Sequence, residues 1–258
     1  MRDTLTDFDD DPVRRAQKHS APELPKRFYK SASIEKGSGG FQLLLDSRSA
    51  KTPAKKPLAV TNERFATQMA KEWSEQVEHI DPAKMPYTRL ANSAIDGVSA
   101  ELEAVSNEIA NFANSDLLFY RAGQPEGLVQ MQRRHWDPIL EYVRETYDAK
   151  FVLAEGMMFV EQPSDSVARI TKAVRGFHND YLALAGLQVM TAISGSVLIA
   201  LGAAKRFLSV EDAWAAAHVD EDWNISEWGS DEEAEARRAY RWGEFQVALM
   251  AAHSLSDE

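Results

Sequence analysis

The chain has 258 residues, 44% of them hydrophobic, which is enough for one large domain or two small ones with a sizeable core. Its formal net charge of −11 argues against a general nucleic-acid binder, which needs basic surface to displace counterions, and against docking on anionic lipid. It contains no cysteine, so a disulfide framework, a thiolate nucleophile and a zinc–thiolate site are all excluded.

The first 25 residues lack the apolar core of a secretory signal and are too acidic for a mitochondrial transit peptide. They read as a flexible tail. Residues 26–85 read as a small β-rich αβ unit. Phe28, Tyr29 and Ile34 lie in a strand-like run, Gly37, Gly39 and Gly40 break it, and Phe41 to Leu45 resume it. That pattern is a hairpin; no Gly-Lys-Ser/Thr follows to make it a phosphate loop. After the basic stretch from Lys51 to Pro57, a short strand over Leu58 to Val60 is expected to close the sheet. Thr61 or Asn62 can cap a helix whose apolar face runs Phe65, Met69, Trp73 and Gln76 or Val77. Pro82 and Pro86 end it.

Residues 86–258 read as a helical bundle. Leu90, Ala94 and Ile95 mark one helix, and Leu102, Val105, Ile109 and Phe112 another. Leu117 to Tyr120 fits either a strand or a helix end. A helix is expected from Glu126 to about His135, with Asp137 capping a restart that has Pro138 at its first position. Phe151 to Val160 has strand-like stretches around Gly156. Ser164 is the expected cap of a helix carrying Val167, Ile170, Val174 and Phe177. Leu182 to Ala204 holds no charge over 23 residues, long enough to span a membrane. Its three glycines and its polar Gln188, Thr191, Ser194 and Ser196 instead suit a helix hairpin buried in a bundle. The last helix has a capping-box pattern in Ser230 and Glu233, with an expected apolar stripe of Ala236, Tyr240, Gly243, Val247 and Met250.

Between these last segments lies the densest cluster of distinctive residues. Trp214, Trp223 and Trp228 are nine and five apart, so one helix face cannot carry all three. Asp220, Glu221 and Asp222 sit among them, with Glu227 beside Trp228. Two readings stand. The tryptophans are core anchors and the acids a solvated helix start; or aromatics beside acids form a recognition surface for a basic partner. No His-Glu-x-x-His pair, Gly-x-Ser-x-Gly elbow or kinase signature occurs. Residue chemistry therefore names no catalytic, cofactor or metal residue. A soluble, hydrolase-like enzyme whose carboxylates converge only in three dimensions stays open beside a binding protein.

Four stretches carry a family resemblance: Lys26 to Val60, Lys71 to Asp96 (KEWSEQVEHIDPAKMPYTRLANSAID), Ser115 to Ala122 (SDLLFYRA) and Asp220 to Gly229 (DEDWNISEWG). In this order and spacing they resemble the assembly chaperone family for the α subunit of the F-type ATP synthase head. The resemblance implies an α+β fold, with a small N-terminal αβ domain and a larger C-terminal orthogonal helical bundle. It implies no enzyme activity and no cofactor. The implied partner is the unassembled α subunit, whose β-facing surface is shielded, with no nucleic acid, no stable membrane insertion and a monomeric state. The implied location is the bacterial cytoplasm, or the mitochondrial matrix for a mature eukaryotic form. By position in the motifs, Asp220, Glu221, Asp222, Trp223, Glu227 and Trp228 are the partner-binding candidates. Trp73, on the apolar stripe with Phe65 and Met69, reads as a core anchor, and the resemblance implies that Arg89 and Asn92 tie the two domains.

Overall fold

The computed structural model describes residues 24–156 and 158–253. The tail expected over residues 1–25 lies outside the described residues as far as residue 23. Strand β1 (Ala32–Gly37) turns back into β2 (Gly40–Leu45) as the expected antiparallel hairpin, with Ile34 opposite Leu43. β3 (Arg48–Ser49) pairs with the end of β2, and β4 (Ala59–Val60) with its start. The glycine at position 40 has a cause. Its φ is 106°, and a Cβ there would lie 2.3 Å from the Val60 carbonyl oxygen, so only hydrogen lets β4 close on the turn.

Helix α1 (Glu63–Glu75) packs on β1 and β2 through Phe65, Ala66 and Met69, all fully buried. Of the two candidate caps, Asn62 acts: its side-chain oxygen accepts from Phe65 N at 2.9 Å. The helix stops at Glu75, so Val77 falls off the apolar stripe and is exposed.

The helical part is built around α6 (Tyr181–Ser194), which packs against α10 (Glu232–Ala252), α7 (Val197–Ala204), α2 (Pro86–Asp96) and α3 (Leu102–Asn111). The uncharged 182–204 segment is this α6–α7 pair. Every residue of α7 is buried, and no helix among the described residues is long and apolar enough to cross a membrane. A Cβ at Gly186 would sit 2.3 Å from the Ala248 carbonyl oxygen, so glycine sets how closely α6 and α10 approach.

Four local expectations are corrected. Helix α4 (Glu126–Tyr147) runs unbroken through Pro138. Trp136, Ile139 and Val143 are buried on both sides of the proline, and the Trp136 indole donates to the Ala216 carbonyl at 2.8 Å. That packing outweighs the lost backbone bond, and Asp137 pairs with Arg121 at 2.7 Å instead of capping. Ser164 does not cap α5 (Ser164–Arg175); it is the first helical residue, after Pro163. At α10 the cap is Asp231, accepting from Ala234 N at 2.8 Å, while Ser230 bonds Glu235 and Glu233 pairs with Arg237. An aspartate one residue on supplies both a cap oxygen and a negative charge at the helix start. The stripe of α10 is also shorter than its periodicity implies. Burial begins at Phe245, and Tyr240 is 59% exposed.

Leu117 to Phe119 form a 3-10 turn leading into β5 (Tyr120–Arg121), which pairs in parallel with β6 (Ala154–Glu155). The result is a small sheet carrying one helix, beside a larger helical body.

Candidate functional site

Helix α8 (Val210–Ala217) is capped by Ser209 and leads directly into α9 (Val219–Trp228). No side chain caps α9. Its three acids occupy the first turn, where the helix dipole favours them, and reach sideways to two groups on neighbouring helices. Asp220 Oδ1 accepts from Gln132 Nε2 of α4 at 2.8 Å. Asp222 Oδ1 lies 2.5 Å from Arg238 Nη2 of α10, and Glu221 lies 3.5 Å from Arg238 Nη1. The Arg238 guanidinium also stands over the Trp214 ring, 5.8 Å from its centroid. Trp214 in turn packs edge-on to Trp242 and Phe245 of α10.

His218 is buried beside this cluster, its Nδ1 2.9 Å from the Trp214 carbonyl and its Nε2 3.8 Å from Glu221. Burial pushes its pKa down, helped by Arg238 and Arg241 and opposed by the Trp214 carbonyl and Glu221. Glu221 and Asp222 therefore cross-link α9 to α10 through a shared arginine.

The tryptophans divide as well. Trp223 is half-buried over the first turn of α4, where a Cβ at Gly127 would come within 2.6 Å of its ring. Trp228 ends α9 and is 86% exposed, with exposed Glu227 beside it. Of the six candidates, Trp228, Glu227 and Asp220 face outward, while Glu221, Asp222 and Trp223 hold α9 in place.

Next to Asp220 opens a groove of about 500 Å³. Leu117, Tyr120 and Leu128 give it an apolar floor, and Gln132, Asp220 and Gly156 line its edge. Gly156 belongs to the segment after β6, which exposes Met158 (78%) and Phe159 (68%); Val152 and Leu153, ahead of the strand, are also exposed. Reasoning from sequence placed strand-like stretches here and missed this surface. An apolar run reads the same whether it faces a core or water.

A second unread junction joins α1 to α2. The buried Glu72 carboxylate accepts from Tyr87 N at 2.7 Å, Thr88 N at 2.9 Å and Thr88 Oγ1 at 2.8 Å, placing an anion at the start of α2. Burial raises its pKa and those bonds oppose the rise. Trp73, half-buried against Tyr29, donates its indole N–H to the same Thr88 hydroxyl at 3.0 Å. Arg89 bonds the Pro82 carbonyl, the Tyr240 hydroxyl at 3.2 Å and Glu244 at 2.5 Å. Asn92 directs its carboxamide oxygen into the interior, where it has no hydrogen-bond partner among the described residues.

Ser106 and His178 lie 2.6 Å apart, a distance suited to an activated serine. Ser106 is fully buried, so a substrate carbonyl has no approach to its oxygen. Among the described residues no group of three His, Asp or Glu side chains is placed to hold a metal ion.

The groove is open and largely apolar, and comparison with known proteins names the class as a chaperone. A family model described as ATP12 chaperone protein matches residues 26–144. A crystal structure of a putative chaperone from Agrobacterium tumefaciens superposes with a TM-score of 0.85 at 43% identity, over 95% of this chain and 91% of that one. Atp12 from Paracoccus denitrificans superposes at 0.82 with 33% identity, over 89% of this chain and 98% of that one. The mitochondrial protein atp12 of Schizosaccharomyces pombe is 24% identical over 225 residues, 81% of this chain and 75% of its own length. The chain belongs to the ATP12 family, chaperones of ATP synthase assembly.

Proposed function

We propose that this protein holds the unassembled α subunit of the F-type ATP synthase head and shields the surface that later meets the β subunit. It acts as a monomer, in the bacterial cytoplasm or in the mitochondrial matrix of a eukaryotic host. The observation that carries this reading is the apolar groove between β5, α4 and α9, together with Met158 and Phe159, exposed a few residues after the groove's Gly156. Apolar surface left open on this scale marks an interaction site, and an orphan subunit interface presents matching apolar surface that would otherwise aggregate.

In this reading Asp220, Glu227 and Trp228 touch the client, and Glu221, Asp222 and Trp223 fix the helix that presents them. Residues 26–85 and 86–258 are two units, with Trp73, Arg89 and Asn92 at their seam.

The test is capture of recombinant α subunit by the immobilised protein. Phe159→Asp combined with Trp228→Ser should weaken capture at least about tenfold, because anchors of this kind carry 2 kcal/mol or more in protein interfaces. Both side chains are exposed, so the melting temperature should hold. Undiminished capture by this variant would remove the groove from the interface, and no capture by the unmodified protein would remove the client assignment.

A further inference from the structure

The groove described above lies in the acidic part of the molecule, yet charge is strongly segregated along the chain. Between residues 24 and 60 there are eight Lys and Arg against two acids, a local surplus of six on a chain of net −11. The two acids leave this surplus largely uncompensated. Asp46 turns its carboxylate onto the Lys30 and Ser31 backbone N–H groups, both at 2.9 Å, which hold it below the usual carboxylate range. Glu35 lies on β1, across the hairpin from Gln42.

On this basic unit is a second groove, of about 600 Å³, between the sheet and α1. Phe28, Tyr29, Leu45 and Trp73 give it apolar walls, and Arg48, Lys51 and Asp46 also line it, the Asp46 carboxylate being turned onto the Lys30 and Ser31 backbone N–H groups. Phe28 is 72% exposed and stacks edge-to-face on Tyr29 with ring centroids 5.4 Å apart. The Arg48 and Lys51 side chains are exposed and have no hydrogen bond or ion pair among the described residues.

Lys51 is also presented rigidly. It opens a turn closed by Thr52 N to the Lys56 carbonyl at 2.9 Å and by Lys55 N to the Thr52 carbonyl at 2.8 Å. That turn is pinned to the end of α2, where Asp96 accepts from Thr52 Oγ1 at 2.7 Å and Ala54 N at 3.0 Å, and Lys56 Nζ donates to the Ile95 carbonyl at 2.8 Å. The braced turn fixes where the Lys51 side chain starts, so only the side chain's own rotamers are ordered on meeting an anion.

We propose that this groove is a second docking site, for an acidic polypeptide segment that places carboxylates on Arg48 and Lys51 and an apolar side chain against Phe28 and Trp73. Charge complementarity selects the occupant. A nucleic acid or an anionic membrane extends well beyond the patch and meets the field of the remaining chain, which repels it. A short peptide senses only the groove, because fields decay within about 8 Å at physiological salt. The apolar wall suits a side chain and offers nothing to a phosphate.

The experiment is an NMR titration of the isotope-labelled full chain. The probe is an eight-residue capped peptide with glutamates flanking a central Leu-Phe pair; the control replaces each glutamate by lysine. The acidic peptide should shift amides of residues 28–30 and 45–51 and the Trp73 indole, and raised salt should weaken it. Arg48→Glu with Lys51→Glu should weaken binding at least about tenfold, since a reversed rim charge repels the same partner. Arg48→Ala with Lys51→Ala serves as a milder second variant, and both pairs should leave the melting curve in place.

Phe159→Asp with Trp228→Ser should leave peptide binding unchanged, so this site can fail without the groove at α9 failing, and the reverse. Equal shifts with the lysine peptide, or full binding by the glutamate double variant, would overturn the proposal. So would binding of phosphatidylglycerol vesicles or an RNA duplex at these amides while the peptide leaves them unmoved.

Discussion

Asp116 is fully buried, and its carboxylate serves two backbone ends at once. Oδ1 accepts from Leu118 N at 3.1 Å, capping the 3-10 turn before β5, and Oδ2 accepts from Leu198 N at 3.3 Å in the first turn of α7. Burial pushes its pKa up to about 6, against the pull of bonds from Ser196 and the backbone. The sign of the pH effect follows. Between the unfolded value of 3.8 and the folded value of about 6, the native state binds more protons than the unfolded one. This group's stabilising contribution is thus complete below pH 4 and is lost as pH rises through 6, a swing on the order of 3 kcal/mol. Asp116→Asn should remove that slope from the unfolding free energy measured between pH 4 and 7. It should also cost about 1–3 kcal/mol at pH 7, because an amide presents a donor where two backbone N–H groups need acceptors. A variant whose pH slope matches the parent's would show that the slope belongs to another group.

Among the elements, α9 depends on side chains to hold it. Its apolar contribution to the core is Val219 alone, so its attachment to α10 rests on Arg238 between Glu221 and Asp222. Glu221→Lys would set a cation 3.5 Å from that guanidinium and beside His218. A loss of about 1 kcal/mol is expected, the pair being half-exposed. The same change in Arg238→Gln protein should cost much less, because the charge it repels is gone; equal costs in chemical unfolding would contradict the shared-arginine link.

The α6–α10 contact is of the opposite kind, set by absence of a side chain. Gly186→Ala gains about 1 kcal/mol in helix propensity, yet the new methyl meets the Ala248 carbonyl at 2.3 Å and Ala252 N at 2.8 Å, both backbone. Overpacking of 1–3 kcal/mol should win, giving a net loss of stability. A higher melting temperature for Gly186→Ala would mean that the two helices part without penalty.

At the scale of the whole molecule, the small sheet and the helical bundle were legible because each rests on periodicity and turn chemistry that neighbouring residues carry. Glycine between two strand runs makes the β1–β2 hairpin, and 23 residues without a charge make the α6–α7 pair. The family was legible too, since four stretches kept their order. Capping details were less so: Ser230 and Asp231 are both competent caps, and the choice turns on where α10 starts. Pro138 misled for a related reason, its local cost being outweighed by Trp136 and Ile139 contacts that only the folded bundle creates. The tertiary structure alone decided which of the three α9 acids is exposed and which grip Arg238, that Met158 and Phe159 meet water, and that Arg48 and Lys51 line a groove with Trp73. Periodicity reports which side chains share a face of one element. Whether that face meets a core, a cation or solvent depends on what the rest of the chain brings against it.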